Sequence, residues 1–189
     1  MSESLSTSNT SLATIPTSMS GSEKFLRFHL GYHVTALLPL QRSAEVLNIP
    51  REQILPIFFM PAWVMGVYNL RGEILWIVDL GHLVGLAPCY EQIASSSYTT
   101  IVLQSSSHTD VPVHTKNQTL GIIIGELEAI ESCDPRQIQT SLLSSIPNGL
   151  HPFLQGYWLK SDNDRLAVLD ADAIMAAMPK QNLNEGEMA

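Results

Sequence analysis

VMGVYNLRGEILWIVDL, residues 64–80, is the stretch from which the architecture of this chain can be inferred. Val64–Tyr68 is apolar and partly β-branched, and Asn69-Leu70-Arg71-Gly72 has the composition of a tight turn. Ile74–Val78 is an uninterrupted apolar run, and a run this short between turn signals is typical of a strand buried on both faces. The stretch therefore predicts a β-hairpin at the centre of its domain.

The turn of this hairpin contains Arg71, which is the only lysine or arginine between Arg51 and Lys116. A lone guanidinium beside a buried strand has two interpretations. It is either an internal anchor that satisfies carbonyl groups at a strand end, or a contact point for a partner. The residues of the turn leave both interpretations open.

The composition excludes some classes of protein. A chain of 189 residues forms one large or two small domains, and a hydrophobic content of 45% is enough for a core. A charged content of only 15% is low for a solitary soluble domain, which suggests that partners cover part of the surface. The net charge of −8 argues against a nucleic-acid partner and against an anionic membrane surface.

Cysteine usage and hydropathy indicate the compartment. Cys89 and Cys133 lie outside any CxxC or CxxH pattern, as expected of structural thiols in a reducing environment. The N-terminus lacks the pattern of a signal peptide, and the uncharged stretch Ile54–Tyr68 is short and interrupted by Pro56 and Pro61. We expect a cytoplasmic protein without direct membrane insertion.

Short apolar runs with frequent turns predict a mostly β architecture. Ser43–Leu47 is the exception, and there we expect a short helical or irregular turn. Further strands are predicted at Phe25–Leu30, Val34–Leu40, Tyr98–Gln104, Thr119–Gly125, Glu126–Glu131, Phe153–Lys160 and Arg165–Leu169, and short helices at Leu80–Leu86 and Ala171–Met178.

Both ends of the chain have the composition of tails. Residues 1–22 contain twelve serines or threonines and almost no large apolar groups, so we expect a disordered segment. Residues 180–189 are polar and are expected to be flexible. The folded domain is expected at residues 23–179, with a boundary between two β subdomains near residues 89–97 and closing segments that can swap between them.

An internal repeat supports this division. Gly66 corresponds to Gly156 and Asp79 to Asp170, at offsets of 90 and 91 positions, and each copy reads glycine, strand, turn, strand, aspartate, short helix. The pattern predicts two similar subdomains whose short strands close into barrels. The second copy has an ordinary polar turn in place of Asn-Leu-Arg-Gly. If the fold alone required Arg71, the second copy would need an equivalent, so the difference counts towards a contact role but leaves both interpretations of Arg71 open.

The sequence contains no recognisable catalytic motif. It lacks GxSxG, HExxH, GxGxxG and phosphate-loop patterns. Asp79 and Asp170 each follow a strand and precede a helix, which suits helix N-caps better than a catalytic pair. We therefore expect no enzymatic activity, no metal and no cofactor. The alternative is a small twin-barrel enzyme or metal-binding protein, and its best support is the pair His108 and His114 in one polar loop.

The hairpin sequence resembles a known family. Gly66-Val67-Tyr68-Asn69-Leu70-Arg71-Gly72, followed by Ile77-Val78-Asp79-Leu80, is similar to the signature of the CheW family of chemotaxis adaptors. FLRFHLGYHVTALLPLQRSAEVL resembles the opening strand pair of that family, and the segments Leu120–Ile130 and 153–178 resemble its second half. The resemblance covers about residues 22–179.

This resemblance implies a fold and a function. The fold is two SH3-like five-stranded β subdomains with a groove between them. The function is a cytoplasmic scaffold that bridges chemoreceptors and a CheA-type histidine kinase, in chemotaxis or in a motility system such as twitching or phototaxis. The kinase's CheW-like regulatory domain would bind the subdomain surfaces, and the receptor's helical tip would bind the groove. The matching partner-binding positions are Glu45, Gly66, Asn69, Leu70, Arg71 and Gly72.

Overall fold

The computed structural model describes residues 21–31, 34–92, 95–105, 119–140, 147–161 and 164–178. Ten strands dominate this part of the chain: β1 (Glu23–Leu30), β2 (Val34–Pro39), β3 (Ser43–Pro50), β4 (Val64–Leu70), β5 (Glu73–Asp79), β6 (Ser97–Gln104), β7 (Thr119–Ile124), β8 (Leu127–Cys133), β9 (Leu154–Ser161) and β10 (Asp164–Leu169). The helices are short: α1 (Leu80–Leu83), α2 (Cys89–Gln92) and α3 (Ala171–Ala176), with 3₁₀ turns at Leu40–Arg42, Arg51–Gln53, Pro135–Gln137 and Asn148–Phe153.

The strands form two sheets with the same internal arrangement. One sheet has the order β8-β1-β2-β10-β9 and the other β3-β6-β7-β5-β4. Each contains one parallel pair, β2 with β10 and β7 with β5, and its other pairs are antiparallel. The predicted fold class, mostly β with two five-stranded SH3-like subdomains and short helices, is therefore confirmed.

The two sheets are not consecutive halves of the chain. The first sequence copy, β1 to β5, gives two strands to one sheet and three to the other, and the second copy, β6 to β10, does the reverse. The region 89–97 thus separates the two copies of the repeat but does not separate the two sheets, because β5 and β7 pair across it. The sheets exchange closing strands, so the boundary near residues 89–97 divides the two copies of the repeat and not the two sheets.

The largest core lies between the sheets. Phe28, Leu38, Ile101 and Ile122 are among its fully buried members, drawn from the facing sides of both sheets. Each sheet also covers a smaller cluster of its own, around Ile49 and its neighbours in one case and around Phe25 in the other. A shared core of this size fixes the two sheets against one another.

The β4–β5 hairpin largely has the predicted burial. Leu75 and Ile77 pack into the cluster of their own sheet, while Val78 lies in the shared core with Trp76 at its margin. β5 is therefore covered on both faces, except at its first residues, where Ile74 is 71% exposed. The exposed Ile74 lies next to the turn and is available to a partner.

The expectation for Ser43–Leu47 was wrong, because these residues belong to β3. The segment has good helix formers, but it pairs antiparallel with β6, with a register shift between Ser43 and Glu45, and alternates between exposed and partly buried positions. Pairing with a neighbouring strand overrides a weak local preference. The predicted helices exist but are shorter, since α1 ends at Leu83 and α3 at Ala176.

Some expectations fall outside the described residues. These are nearly all of the N-terminal tail, the C-terminal tail and the loop with His108 and His114. In the described part of the chain, no helix is long and apolar enough to cross a membrane.

Candidate functional site

The turn between β4 and β5 has backbone geometry that few sequences allow. Leu70 pairs with Glu73, and the two residues between them, Arg71 and Gly72, both have positive φ angles of 53° and 90°. Two such residues in a two-residue loop are characteristic of a type I′ hairpin turn. The Asn69 side chain supports the turn, because its Oδ1 accepts a hydrogen bond of 2.8 Å from the Gly72 backbone N–H.

Arg71 is held by Glu45 of β3. Its Nη1 and Nη2 donate to the two carboxylate oxygens of Glu45 at 3.1 Å and 2.8 Å, so the contact is bidentate. The Arg71 side chain is nevertheless 75% exposed, against 25% for Glu45. Within the described ranges the guanidinium donates to a carboxylate, and no contact with a backbone carbonyl group at a strand end is seen. The carbonyl-anchor interpretation of Arg71 therefore has no support in this part of the chain.

This ion pair joins the two edges of one sheet. β3 and the β4–β5 hairpin lie at opposite ends of the strand order, so Glu45 and Arg71 meet because the sheet curls round on itself. The other sheet has a corresponding contact, since Lys160 on edge strand β9 binds Glu131 on edge strand β8 at 2.7 Å. An ion pair between side chains therefore also joins the edges of the other sheet. The absence of an arginine equivalent to Arg71 in the second copy thus no longer counts as evidence for a contact role.

Gly66 has a role inside the fold. Its φ is +139°, and a Cβ there would lie 2.1 Å from the carbonyl oxygen of Leu55, which crosses close above β4. Gly156, its counterpart in the repeat, has a φ of +156°, and a Cβ there would lie 2.5 Å from the carbonyl oxygen of Gln139. Both glycines permit the same close backbone crossing, so the match at Gly66 has an internal explanation.

The structure thus brings four of the six predicted site residues together. Glu45, Asn69, Arg71 and Gly72 form one exposed corner of the molecule, which we call the arginine corner. Leu70 is part of the same turn, but it packs partly against the core of its sheet. Gly66 lies in the middle of β4, away from this corner. A contact of any of the six with a partner remains a prediction.

The buried Asp79 caps a helix and takes no part in this corner. Its Oδ1 accepts from the His82 backbone N–H at 3.0 Å and its Oδ2 from that of Cys89 at 2.6 Å. Asp170 caps α3 in the same way, accepting from Ala173 at 3.0 Å. Burial, together with the Asp79 carboxylate, raises the pKa of the Cys89 thiol to about 12. The two aspartates are N-caps at equivalent positions of the repeat, as predicted.

The described residues also contain a cavity of about 300 Å³ beside Asp79. Its lining includes the polar residues His29 and Glu126 and the apolar residues Ile123 and Cys89. Among the residues that the structure describes, no group of three or more histidine, cysteine or acidic side chains is arranged to hold a metal ion.

The sequence reasoning missed an apolar projection. Phe58 and Phe59 are 84% and 105% exposed in the loop between the Arg51–Gln53 turn and β4, and Leu55 beside them is 63% exposed. The available signal was two adjacent aromatic residues between Pro56 and Pro61 in a segment without charge.

Comparisons with known proteins agree with this fold. A family model described as "CheW-like domain" matches residues 24–178. Among solved structures, the chain is similar to the scaffolding protein TtCheW from Thermoanaerobacter tengcongensis, with 19% sequence identity and a TM-score of 0.61 over 79% of this chain and 89% of that one. No curated protein sequence matches the chain. Because the family match spans most of the chain and the fold agrees with it, this protein belongs to the CheW-like domain family.

Proposed function

We propose that this chain is a non-enzymatic cytoplasmic adaptor that couples chemoreceptors to a CheA-type histidine kinase, in chemotaxis or in a related motility system. The observation that carries this proposal is the match of residues 24–178 to the CheW-like domain. TtCheW, the protein of similar fold, is itself a scaffolding protein. A scaffold needs a rigid body with exposed anchor groups, and two sheets that share one core provide such a body.

The arginine corner is the contact surface that we propose for the receptor or the kinase. Arginine is enriched among residues that dominate binding energy, and Arg71 exposes most of its side chain while Glu45 holds its guanidinium in place. The left-handed backbone conformation of Arg71 also supports a contact role for this residue. Glycine adopts that conformation with less strain, and the exposed pair with Glu45 offsets this by at most about 1 kcal/mol.

Binding and kinase regulation test the proposal together. The purified chain is titrated against a purified CheA-type kinase and against a cytoplasmic receptor fragment, and kinase autophosphorylation is measured with receptor-containing membranes in the presence and absence of the chain. We expect binding to both partners and receptor-dependent kinase activity only when the chain is present. If the chain binds neither the kinase nor the receptor fragment, the proposal is wrong.

A matched variant pair tests the corner itself. Arg71→Ala should weaken binding to one of the two partners about tenfold, while Arg136→Ala should leave both affinities unchanged. Arg136 is a suitable control because it is 79% exposed and binds Asp134 at 2.8 Å, which closely resembles the exposure and pairing of Arg71. Equal effects of the two substitutions would contradict a contact role for the arginine corner.

A further inference from the structure

The cavity beside Asp79 lies between elements of both sheets. Its lining comes from the end of β1, from the turn between β7 and β8, and from the segment between Asp79 and Cys89. Asp79 and Cys89 are almost completely buried, whereas Glu126 in the turn is exposed. The cavity therefore extends from the surface of the molecule towards the capping aspartate, and we call it the Asp79 cavity.

The repeat identifies the residues at the corresponding position of the other copy. Asp170 corresponds to Asp79, so Asp172 corresponds to Gly81, each in the first turn of the helix that follows. Gly81 lies directly beside the capping carboxylate, because a Cβ there would be 3.3 Å from Asp79 Oδ1. The first copy thus has no side chain at the place where the second copy has a carboxylate.

The turn between β7 and β8 corresponds to the turn between β2 and β3. Glu126 is the last residue before β8, and Arg42 is the last residue before β3. The parallel strand pairs give the same match, since equivalent positions of β5 and β10 pair with Gly121 and Leu37, each five residues earlier in the chain. The first copy therefore has an acidic residue at the place where the second copy has an arginine.

The second copy fills this position with an ion pair. The Arg42 side chain is only 13% exposed, and its Nη2 binds Oδ1 of Asp172. In the first copy, Glu126 and Gly81 take these two places, and both line the Asp79 cavity. The cavity thus corresponds to the space that an arginine side chain occupies in the other copy.

The lining of the cavity carries negative charge. Asp79 and Glu126 form no ion pair with any residue that the structure describes, and the described lining contains no lysine or arginine. The guanidinium of Arg51 lies over the Tyr98 ring, 4.5 Å from its centroid, and Arg51 is outside this lining. The Cys89 thiol adds no charge, because burial and the Asp79 carboxylate raise its pKa to about 12. A concave site with two carboxylates and apolar walls attracts cations.

The rest of the lining suits the stem of an organic cation. His29 is its other titratable residue, and its Nε2 lies 2.5 Å from Oε1 of Glu128, so a charge on the imidazole is balanced there. Leu30, Ile123 and Ile124 supply apolar surface. A volume of about 300 Å³ corresponds to about ten water molecules, which is enough for a short alkyl chain with a polar head.

We infer that the Asp79 cavity binds an alkylguanidinium group, with the guanidinium between the carboxylates of Asp79 and Glu126 and the alkyl chain against the apolar lining. A guanidinium is favoured over an ammonium group, because it is more weakly hydrated and pairs with carboxylates through two parallel hydrogen bonds. Free small molecules and arginine side chains of other proteins both carry this group. The inference goes beyond the proposed adaptor function and does not depend on it.

The experiment titrates three probes into the full chain at pH 8. n-Butylguanidinium represents a free small molecule, N-acetylarginine amide represents an arginine within a polypeptide, and N-butylurea is a neutral control of the same shape. Binding is followed by the amide chemical shifts of the protein and by its thermal unfolding temperature, which a ligand of the folded state raises.

Three variants accompany the unsubstituted chain. Glu126→Gln removes a carboxylate of the cavity and keeps the size of the side chain. Glu52→Gln is the matched control, because it removes the same charge at an exposed position outside the lining. Glu126→Arg places an arginine at the position that Arg42 has in the second copy.

n-Butylguanidinium should bind with a dissociation constant on the order of 1 mM, as expected of a ligand with few atoms, and should shift the amide signals of residues 79–81 and 123–126. N-Butylurea should bind about tenfold more weakly or not at all. Glu126→Gln should weaken guanidinium binding about tenfold, whereas Glu52→Gln should leave it unchanged. Glu126→Arg should not bind the probe, and without a ligand it should unfold at a higher temperature than the unsubstituted chain.

The two guanidinium probes distinguish the sources of the group. Similar affinities for both would assign the cavity to an arginine side chain of another protein. Binding of n-butylguanidinium alone would assign it to a free small molecule. The absence of binding of both probes would overturn the inference.

Two further results would also overturn it. Equal affinities for n-butylguanidinium and N-butylurea would show that the charge has no part in binding, and an unchanged affinity in Glu126→Gln would show that this carboxylate is not a contact. Should Glu126→Gln fail to fold, salt decides the question in the unsubstituted chain. Guanidinium binding must then weaken between 50 mM and 500 mM salt, because added ions screen the carboxylates.

Discussion

The guanidinium of Arg71 and the carboxylate of Glu45 join the first and last strands of one sheet. The contact is bidentate, and it has a counterpart between Lys160 and Glu131 in the other sheet. The arginine therefore has a structural role in closing the sheet and also an exposed face. Closing the sheet requires only a pair of opposite charges at these two positions, whereas a partner contact requires the arginine itself. Substitutions can therefore distinguish the two roles.

A charge swap separates closure from contact. In Glu45→Arg combined with Arg71→Glu the pair is re-formed with reversed direction. An exposed pair of this kind contributes at most about 1 kcal/mol. We expect Arg71→Ala to lower the free energy of unfolding by less than about 1 kcal/mol, and the swap to recover part of that loss. Partner binding should stay weak in both. Urea unfolding and calorimetry give the two measurements, and recovery of binding in the swap would show that only closure matters.

Gly66→Ala should be far more destabilising than Gly72→Ala. A methyl group at Gly66 would collide with the Leu55 carbonyl oxygen, whereas one at Gly72 would meet no atom within 4 Å. Both positions have positive φ, so an alanine side chain would strain the backbone at both. We expect a loss of about 3 kcal/mol at Gly66 and about 1 kcal/mol at Gly72 in urea unfolding. Similar losses of stability in the two variants would mean that the backbone at Leu55 can move away from β4 at little cost in free energy.

Tyr157→Phe should leave the protein as stable as before or more stable. The Tyr157 hydroxyl is buried without a hydrogen-bond partner among the described residues, and this burial raises the pKa of the phenol. Removing an unsatisfied buried hydroxyl avoids a desolvation penalty, and a gain of about 1 kcal/mol is expected in urea unfolding. A clear loss of stability would reveal a partner for this hydroxyl.

Stability should fall at alkaline pH, partly through Cys89. Its pKa is about 12 in the folded protein, against an ordinary value near 9, because the thiol is buried beside the Asp79 carboxylate. Between these values the unfolded thiol ionises while the folded one keeps its proton, so the contribution of Cys89 is complete below pH 9 and is lost as pH rises towards 12. The fall in unfolding temperature from pH 8 to pH 10.5 should be smaller in Cys89→Ala than in the unsubstituted chain. Equal falls would contradict this account.

Local sequence patterns predicted the hairpins but not how the sheets are assembled. The β4–β5 hairpin follows from short-range signals, namely a turn-forming tetrapeptide and a continuous apolar run. Assignment of strands to sheets depends on pairing between distant segments, such as β5 with β7, and no local pattern reports it. For the same reason Ser43–Leu47 was misjudged, since only its pairing with β6 makes it a strand.

The candidate site was predicted in part. The turn residues and Glu45 followed from the family resemblance, but the contact between Glu45 and Arg71 depends on the curl of the sheet. Phe58 and Phe59 were not recognised, because an apolar pair in a sequence is normally expected in a core. Their exposure follows from Met60 and Trp63, which take the buried positions on the same loop.

The exchange of strands between the two copies makes each copy dependent on the other. A break in the chain between β5 and β6 would leave two fragments, and neither fragment would hold all five strands of a sheet. Neither could fold by itself, and association of the fragments would have to complete both sheets in one step. The two sheets should therefore unfold together, because each sheet loses strands when either copy of the repeat unfolds.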